Sequence, residues 1–189
     1  MWDSLFLTLP QIAELLAHVK KTSRFSFIHP MFAFAAHTGA RRSEILRSQV
    51  DDFDFDAGIV RIREKKKDKA RELTFRHMPM SPYLKQVMKD WFANHPGGQL
   101  TICNEAAEAI TPQMAAHHFQ WALEDSKWKV LKGWHVFRHS FCSNCAAKGI
   151  DQRLISEWVG HVTDEMAARY RHCFPNVARQ ALSSVFGEG

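Results

Sequence analysis

Two arginine-bearing motifs, a histidine motif and a tyrosine stand in a fixed order along this 189-residue chain. Thr38-Gly39-Ala40-Arg41-Arg42-Ser43-Glu44 comes first. His135-Val136-Phe137-Arg138-His139 follows, then Trp158-Val159-Gly160-His161. Tyr170 lies nine residues after His161. Such a set is suited to attacking a phosphodiester without a metal. A guanidinium fork grips two non-bridging phosphate oxygens at once. A phenol oxygen is a nucleophile, and a covalent intermediate splits one hard step into two easier ones. An imidazole with an unperturbed pKa near ~6.5 exchanges protons at neutral pH. A free phenol, with a pKa near ~10, is mostly protonated at pH 7. Surrounding cations favour the phenolate and the negative transition state.

These residues need a scaffold, and the sequence is legible enough to sketch one. Thr8-Leu9-Pro10-Gln11 reads as a capping box. A helix follows, with Ile12, Leu15, Leu16 and Val19 on one face. A second helix is predicted over 28–36, stopping near Gly39. A third begins over 43–47, which puts Arg41 at a helix entrance where backbone N–H groups would help hold an anion. Val50, Phe53, Phe55, Ile59, Val60 and Ile62 read as strands, with Asp56-Ala57-Gly58 as the turn. A third strand is expected over 72–78. Together these form a small antiparallel sheet within 50–80, carrying a basic hairpin.

Helices resume at Ser81-Pro82, running to about Asn94, and at Thr111-Pro112, running to about Asp125. Another spans 136–148 and ends at Gly149. Asp151 caps one that ends at Gly160. A short helix opening at Thr163 carries Tyr170, and a last one covers 175–185. If the third of these helices begins near Val136, His135 and Arg138 share a face, because residues three apart are neighbours. The fold class is mainly α with a small antiparallel β-sheet (α+β).

The chain is 46% apolar, enough for a packed core, and contains no apolar run near the roughly 18 residues that span a bilayer. No membrane role is expected. Four cysteines are too few for a disulfide scaffold of this size, so a reducing cytosol is the default. A net charge of +5 is compatible with a polyanion but weak evidence alone. Its location says more. Arg61, Arg63, Lys65, Lys66, Lys67, Lys69, Arg71 and Arg76 crowd one short stretch against Glu64, Asp68 and Glu72. Alone this run reads as a solvated hairpin tip, but it sits between the two arginine motifs. Cys142-Ser143-Asn144-Cys145, near His135 and His139, raises zinc. Structural zinc usually needs two such pairs, so these read as buried thiols and no metal is expected. No glycine-rich nucleotide loop is present, so ATP use is not implied.

The order and spacing of Thr38-Gly39-Ala40-Arg41, His135-x-x-Arg138-His139, Trp158-Val159-Gly160-His161 and Tyr170 resemble the catalytic domain of the tyrosine recombinases, or phage-type integrases. The resemblance runs from about residue 7 to 186. It implies that Arg41, His135, Arg138 and His161 orient and neutralise a DNA phosphate, that Tyr170 attacks it, and that Glu44 supports the site. Arg42 reads as a neighbouring surface arginine and His139 as structural. A hairpin lysine acts as general acid in this family. Lys66 is the first choice and Lys65 the next, with Lys65, Lys67, Lys69 and Arg71 left to contact DNA. Trp134 and Trp158 brace the site from behind, while Tyr83, the other tyrosine, reads as core packing.

The resemblance further implies strand cleavage and rejoining of double-stranded DNA through a 3′-phosphotyrosine, with no cofactor. It implies a DNA-bound homo-tetramer for the full-length form, working in a prokaryotic cytoplasm in association with the nucleoid. Residues 1–189 are expected to form a single catalytic domain, lacking the family's N-terminal DNA-clamping domain. The tail over 175–186 docks either on a neighbour or on its own chain. A different class of reading stays open: a DNA-binding module whose catalysis is silent, acting as a regulator or architectural factor. A metal-dependent nuclease is a third, and predicts sensitivity to chelators.

Overall fold

The computed structural model describes residues 6–64, 74–160 and 187. Helix α1, Leu9–Thr22, starts as its sequence dictates. The Thr8 N–H donates to Gln11 Oε1 at 2.9 Å, and the Gln11 N–H donates back to Thr8 Oγ1 at 3.4 Å. Ile12, Leu15, Leu16 and Val19 are its buried face, at the helical spacing.

Helix α2, Ile28–Thr38, is different. Its buried residues run nearly all round it, from Ile28 and Pro30 through Met31, Phe32, Ala33, Phe34, Ala35 and Ala36 to Thr38. A helix apolar on all sides belongs in the middle of a core. The next helices after the sheet are α4, Pro82–Ala93, α5, Pro112–Leu123, and α6, His135–Ala147. Phe32 of α2 meets Phe119 of α5 at 5.4 Å between ring centroids, Trp134 at 4.7 Å and Phe137 of α6 at 5.5 Å. Full burial of each such ring contributes about 1.5–3 kcal/mol. This aromatic knot locks the start of α6 against the centre of the molecule. A second tie comes from the N-terminal side. The Leu7 N–H donates to Ser140 Oγ at 2.8 Å, and Asn144 Nδ2 donates to the Leu7 carbonyl at 2.8 Å.

Helix α3, Arg42–Leu46, follows α2 after one sharp turn at Gly39. Strands β1, Phe53–Asp54, β2, Ile59–Arg63, and β3, Phe75–Pro79, form an antiparallel sheet in the order β1-β2-β3. Val60 pairs with Met78 and Ile62 with Arg76. Val60, Ile62, Arg76 and Met78 are the buried members of the two strands, so they line its inner face. Val50 is not in a strand as expected. Residues Val50–Asp52 make a 3-10 turn, because the Asp52 carboxylate accepts the Gln49 N–H at 2.8 Å and closes it. The last described helix is α7, Gln152–Val159, capped by Asp151, whose side chain accepts the Arg153 N–H at 2.7 Å. Its Ile155 and Val159 pack on Cys142 and Ala146 of α6. No helix among the described residues is long and apolar enough to cross a membrane.

Tyr83 differs from its expected role in the core. It is 41% exposed, its ring stacks on His37 and its hydroxyl lies 3.0 Å from His29 Nε2. Its position in the first turn of α4 puts it at the rim of the α2–α4 contact rather than inside it. The helix expected to carry Tyr170 and the tail over 175–186 lie outside the described residues.

Candidate active site

The turn after α2 positions the first arginine. Gly39 has φ 63, the left-handed conformation that glycine adopts without a Cβ penalty. Thr38 Oγ1 donates to the Phe34 carbonyl at 2.7 Å and accepts the Ala40 N–H at 3.1 Å. The chain therefore leaves α2 in one direction, and Arg41 becomes the N-cap of α3. Arginine has no acceptor to cap with. Glu44 supplies the cap instead. Its Oε2 accepts the Arg41 N–H at 2.7 Å, and its Oε1 accepts from Arg41 Nη1 at 3.0 Å. That corrects one expectation: the Arg41 N–H at this helix entrance is taken by a carboxylate and does not await an anion. The Arg41 side chain, 39% exposed, is the part left facing outward.

Arg138 comes from the first turn of α6 and is 3% exposed. Its Nη1 donates to the carbonyl of Gly39 at 3.1 Å, across 99 residues of sequence. The two arginine motifs are thus joined at one peptide group. His135 is one helical turn away on the same helix. Burial, then the charges of Arg138, Arg41 and Arg42, hold its pKa below the ordinary 6.5. That shift favours the neutral imidazole, the form able to accept a proton.

Arg41, Arg42, Lys132, His135 and Arg138 line one cleft of about 310 Å³. Arg42, expected as a bystander, shares this wall with Arg41. Lys132 belongs to it too, in the loop before α6, where nothing in its sequence neighbourhood marks it. Trp134, expected behind the site, is part of the cleft wall: it is buried, and its Nε1 donates to the Ala115 carbonyl at 3.0 Å. Trp158 packs edge-on against Phe141 at 6.4 Å.

Sequence reasoning missed the role of Arg76. It counted as one more cation in the basic run. In the fold it is 8% exposed and faces inward from β3. Its Nη2 donates to Glu44 Oε2 at 3.0 Å and its Nη1 to Glu64 Oε1 at 3.0 Å. One signal was available. Strand side chains alternate, so an inward Met78 forces an inward Arg76, and a buried arginine demands a carboxylate. Arg63 is likewise committed, to Asp52 Oδ2 at 2.6 Å, with Arg61 at 3.7 Å from Oδ1 of the same carboxylate. The described flanks of the basic run are thus largely neutralised from within.

Burial by itself would push the Glu44 carboxyl up. The hydrogen bond and charge of Arg76, then the N–H and charge of Arg41, outweigh it and hold Glu44 below the usual carboxylate range. Lys65, Lys66, Lys67, Lys69, Arg71, His161 and Tyr170 lie outside the described residues. The Cys142 and Cys145 pair sits on α6, with Cys142 fully buried in the apolar contact with α7. Burial, then Cys142, pushes the Cys145 thiol up to about 12. Among the described residues no three His, Cys, Asp or Glu side chains are grouped to hold a metal ion.

The Gly39 turn yields a direct test. A Cβ there would sit 3.0 Å from Phe141 Cδ1 and 3.1 Å from Val159 Cγ1. Gly39→Ala is expected to cost about 1–2 kcal/mol for the left-handed backbone, plus crowding of about 1–3 kcal/mol. Urea unfolding measures the loss, and an unchanged midpoint would contradict the turn geometry.

The family model described as the phage integrase family matches residues 6–176. This chain belongs to that family. Tyrosine recombinase XerC of Chlamydia caviae is 26% identical over 150 residues, covering 76% of this chain and 46% of the relative. Tyrosine recombinase XerA of Pyrococcus furiosus is 24% identical over 136 residues, covering 67% of this chain and 43% of the relative. The integrase-family chain here spans about half the length of the curated relatives it matches. Among solved structures, a XerA recombinase superposes with a TM-score of 0.75 at 15% identity, over 98% of this chain and 66% of that one. The Tn1549 transposon integrase, solved with circular intermediate DNA, gives 0.74 at 17% identity, over 96% of this chain and 66% of that one. At these identities the structural likeness establishes the fold: the mainly α architecture with its three-stranded sheet is that of tyrosine recombinase catalytic domains.

Proposed function

We propose that this chain is the catalytic domain of a site-specific DNA recombinase that cuts and rejoins strands through a 3′-phosphotyrosine. The convergence of Arg41 and Arg138 beside His135 in one cleft carries the reading. The cleft offers two guanidinium groups to one phosphate, which is the electrostatic half of phosphoryl transfer. Tyr170 is the nucleophile. Its phenol oxygen bonds to phosphorus as the bond to the 5′ oxygen breaks. His135 takes the phenol proton, His161 hydrogen-bonds the phosphate, and a hairpin lysine, Lys66 first, protonates the leaving 5′ oxygen. A 5′ hydroxyl from a second duplex then attacks the phosphotyrosine, passing its proton to the hairpin lysine, while His135 returns a proton to the departing Tyr170 oxygen and frees the enzyme. No nucleotide or metal enters this scheme, because cationic side chains neutralise the developing charge.

Double-stranded DNA is the substrate in this reading. The family match supports it, as do recombinase neighbours solved with DNA, including XerH on its palindromic difH substrate. Lys65, Lys67, Lys69 and Arg71 would contact its phosphates. The active form is a DNA-bound homo-tetramer acting at the prokaryotic nucleoid, with the tail over 175–186 docking between or within subunits.

Covalent trapping tests the proposal. The chain is incubated with nicked suicide duplexes carrying candidate sites, with chelator present. A denaturation-resistant adduct that peptide mass spectrometry maps to Tyr170 is the expected result. No adduct on the element's own sites, within a full-length recombinase, would favour the catalytically silent DNA-binding module instead. An adduct that chelator removes would favour metal-dependent chemistry.

A further inference from the structure

Arg76 uses every nitrogen of its guanidinium on protein partners. Nη1 lies 3.2 Å from Glu44 Oε1 and Nη2 lies 3.0 Å from Glu44 Oε2, a fork on a fork. Nη1 also reaches Glu64 Oε1 at 3.0 Å, and Nε donates to the Trp158 carbonyl at 3.2 Å. Both Glu44 oxygens that take the fork also take Arg41, through its N–H and its Nη1. Arg76 itself is not part of the cleft wall. Its charge is spent inside the fold.

The same guanidinium lies against the end of α7. Gly160 has φ 75, and a Cβ there would stand 3.0 Å from Arg76 Nη1. Gly160 is the residue immediately before His161 in the sequence. One buried side chain therefore touches the carboxylate that orients Arg41 and the backbone from which the third motif departs. We propose that Arg76 is a positioning residue for strand cleavage, setting Arg41 through Glu44 and the exit of α7 through Trp158 and Gly160. This role rests on the recombinase reading of the cleft.

A lysine cannot replace it. An ammonium is a point charge on a flexible stem and cannot hold two carboxylate oxygens and a carbonyl in one plane. A small misplacement of a group that must meet a transition state costs rate rather than binding. A merely structural ion pair predicts otherwise: lower stability, but a normal rate from the folded fraction.

The test compares wild type with Arg76→Lys, which keeps a cation beside Glu44, and Arg76→Gln. Single-turnover adduct formation is followed at saturating DNA, at a temperature where circular dichroism finds both variants folded. Adduct formation is expected to slow by about 10–100-fold in Arg76→Lys, with DNA affinity within about twofold of wild type. A rate within about twofold of wild type overturns the proposal. So does an equal loss in affinity and rate. If wild type forms no adduct, the recombinase reading falls, and the arginine's hold on the site is judged separately. Carbon-13 NMR of the Glu44 carboxyl must then find it titrating higher in Arg76→Gln than in wild type. An unmoved titration overturns the proposal on its own.

Discussion

Tyr170→Phe is expected to abolish the covalent DNA adduct, and Arg138→Lys to slow its formation by about 10²–10³-fold. The first change deletes one oxygen and keeps the ring. If that oxygen is the nucleophile nothing replaces it, while the cationic cleft still holds DNA. The second keeps the charge of Arg138 and removes its geometry. Arg138 is 3% exposed, and the bond from its Nη1 to the Gly39 carbonyl at 3.1 Å fixes its guanidinium plane at the cleft wall. Burial, then Arg41, lowers its pKa, yet an arginine remains charged at any working pH. Lysine in the same crowded site lacks a second donor in the plane, so it loses the bidentate grip. The measurement is the adduct rate at saturating DNA, with unfolding midpoints taken in parallel. An adduct from Tyr170→Phe would remove the assigned nucleophile. A near-normal rate in Arg138→Lys would remove the bidentate role.

The second large effect is on stability. Glu44→Gln is expected to cost about 3–5 kcal/mol, the usual consequence of leaving a buried partner charge uncompensated. Glu44 is 3% exposed and Arg76 8%, and the two are joined at both oxygens. Glu64 still reaches Arg76 in the variant, so the loss belongs at the lower end of that range. The pH dependence follows from the depressed Glu44 carboxyl. Its folded pKa lies below the ordinary 4.5. Its contribution is fully present above 4.5 and disappears as pH falls through the folded value. The stability gap between wild type and Glu44→Gln is therefore expected to be widest at neutral pH. It should close on the acid side of 4.5. Urea unfolding at a series of pH values measures it, and a gap that stays constant with pH would contradict the ion-pair assignment.

Local chemistry accounts for what could be read early. Thr8 with Gln11, Ser81 with Pro82, and Thr111 with Pro112 each start a helix where they were expected to. Gly39 ends α2 for the same reason: it supplies the left-handed residue that side chains resist. Capping and turn preferences act over three or four residues, so they survive without tertiary context. Val50 escaped because its turn is closed by Asp52, whose carboxylate is also recruited by Arg63 from a strand ahead of it. Tyr83 escaped because exposure depends on what α2 leaves uncovered.

By itself, then, the sequence determined the order of the described α-helices, the mainly α class with one small sheet, and the arginine and histidine motifs of the integrase family. Those rest on residue type and spacing along the chain. Only the tertiary structure decided which cations face the cleft and which are consumed within the fold. Arg41, Arg42, Lys132 and Arg138 line the cleft, whereas Arg63 and Arg76 are committed to Asp52, Glu44 and Glu64. The physical reason is distance. An ion pair is set by separation in space, and the fork between β3 and α3 spans 32 residues of sequence. A run of positive residues has the same net charge wherever its partners lie, so only the packing of β3 against α3 and α7 could separate a cleft-facing charge from a structural one.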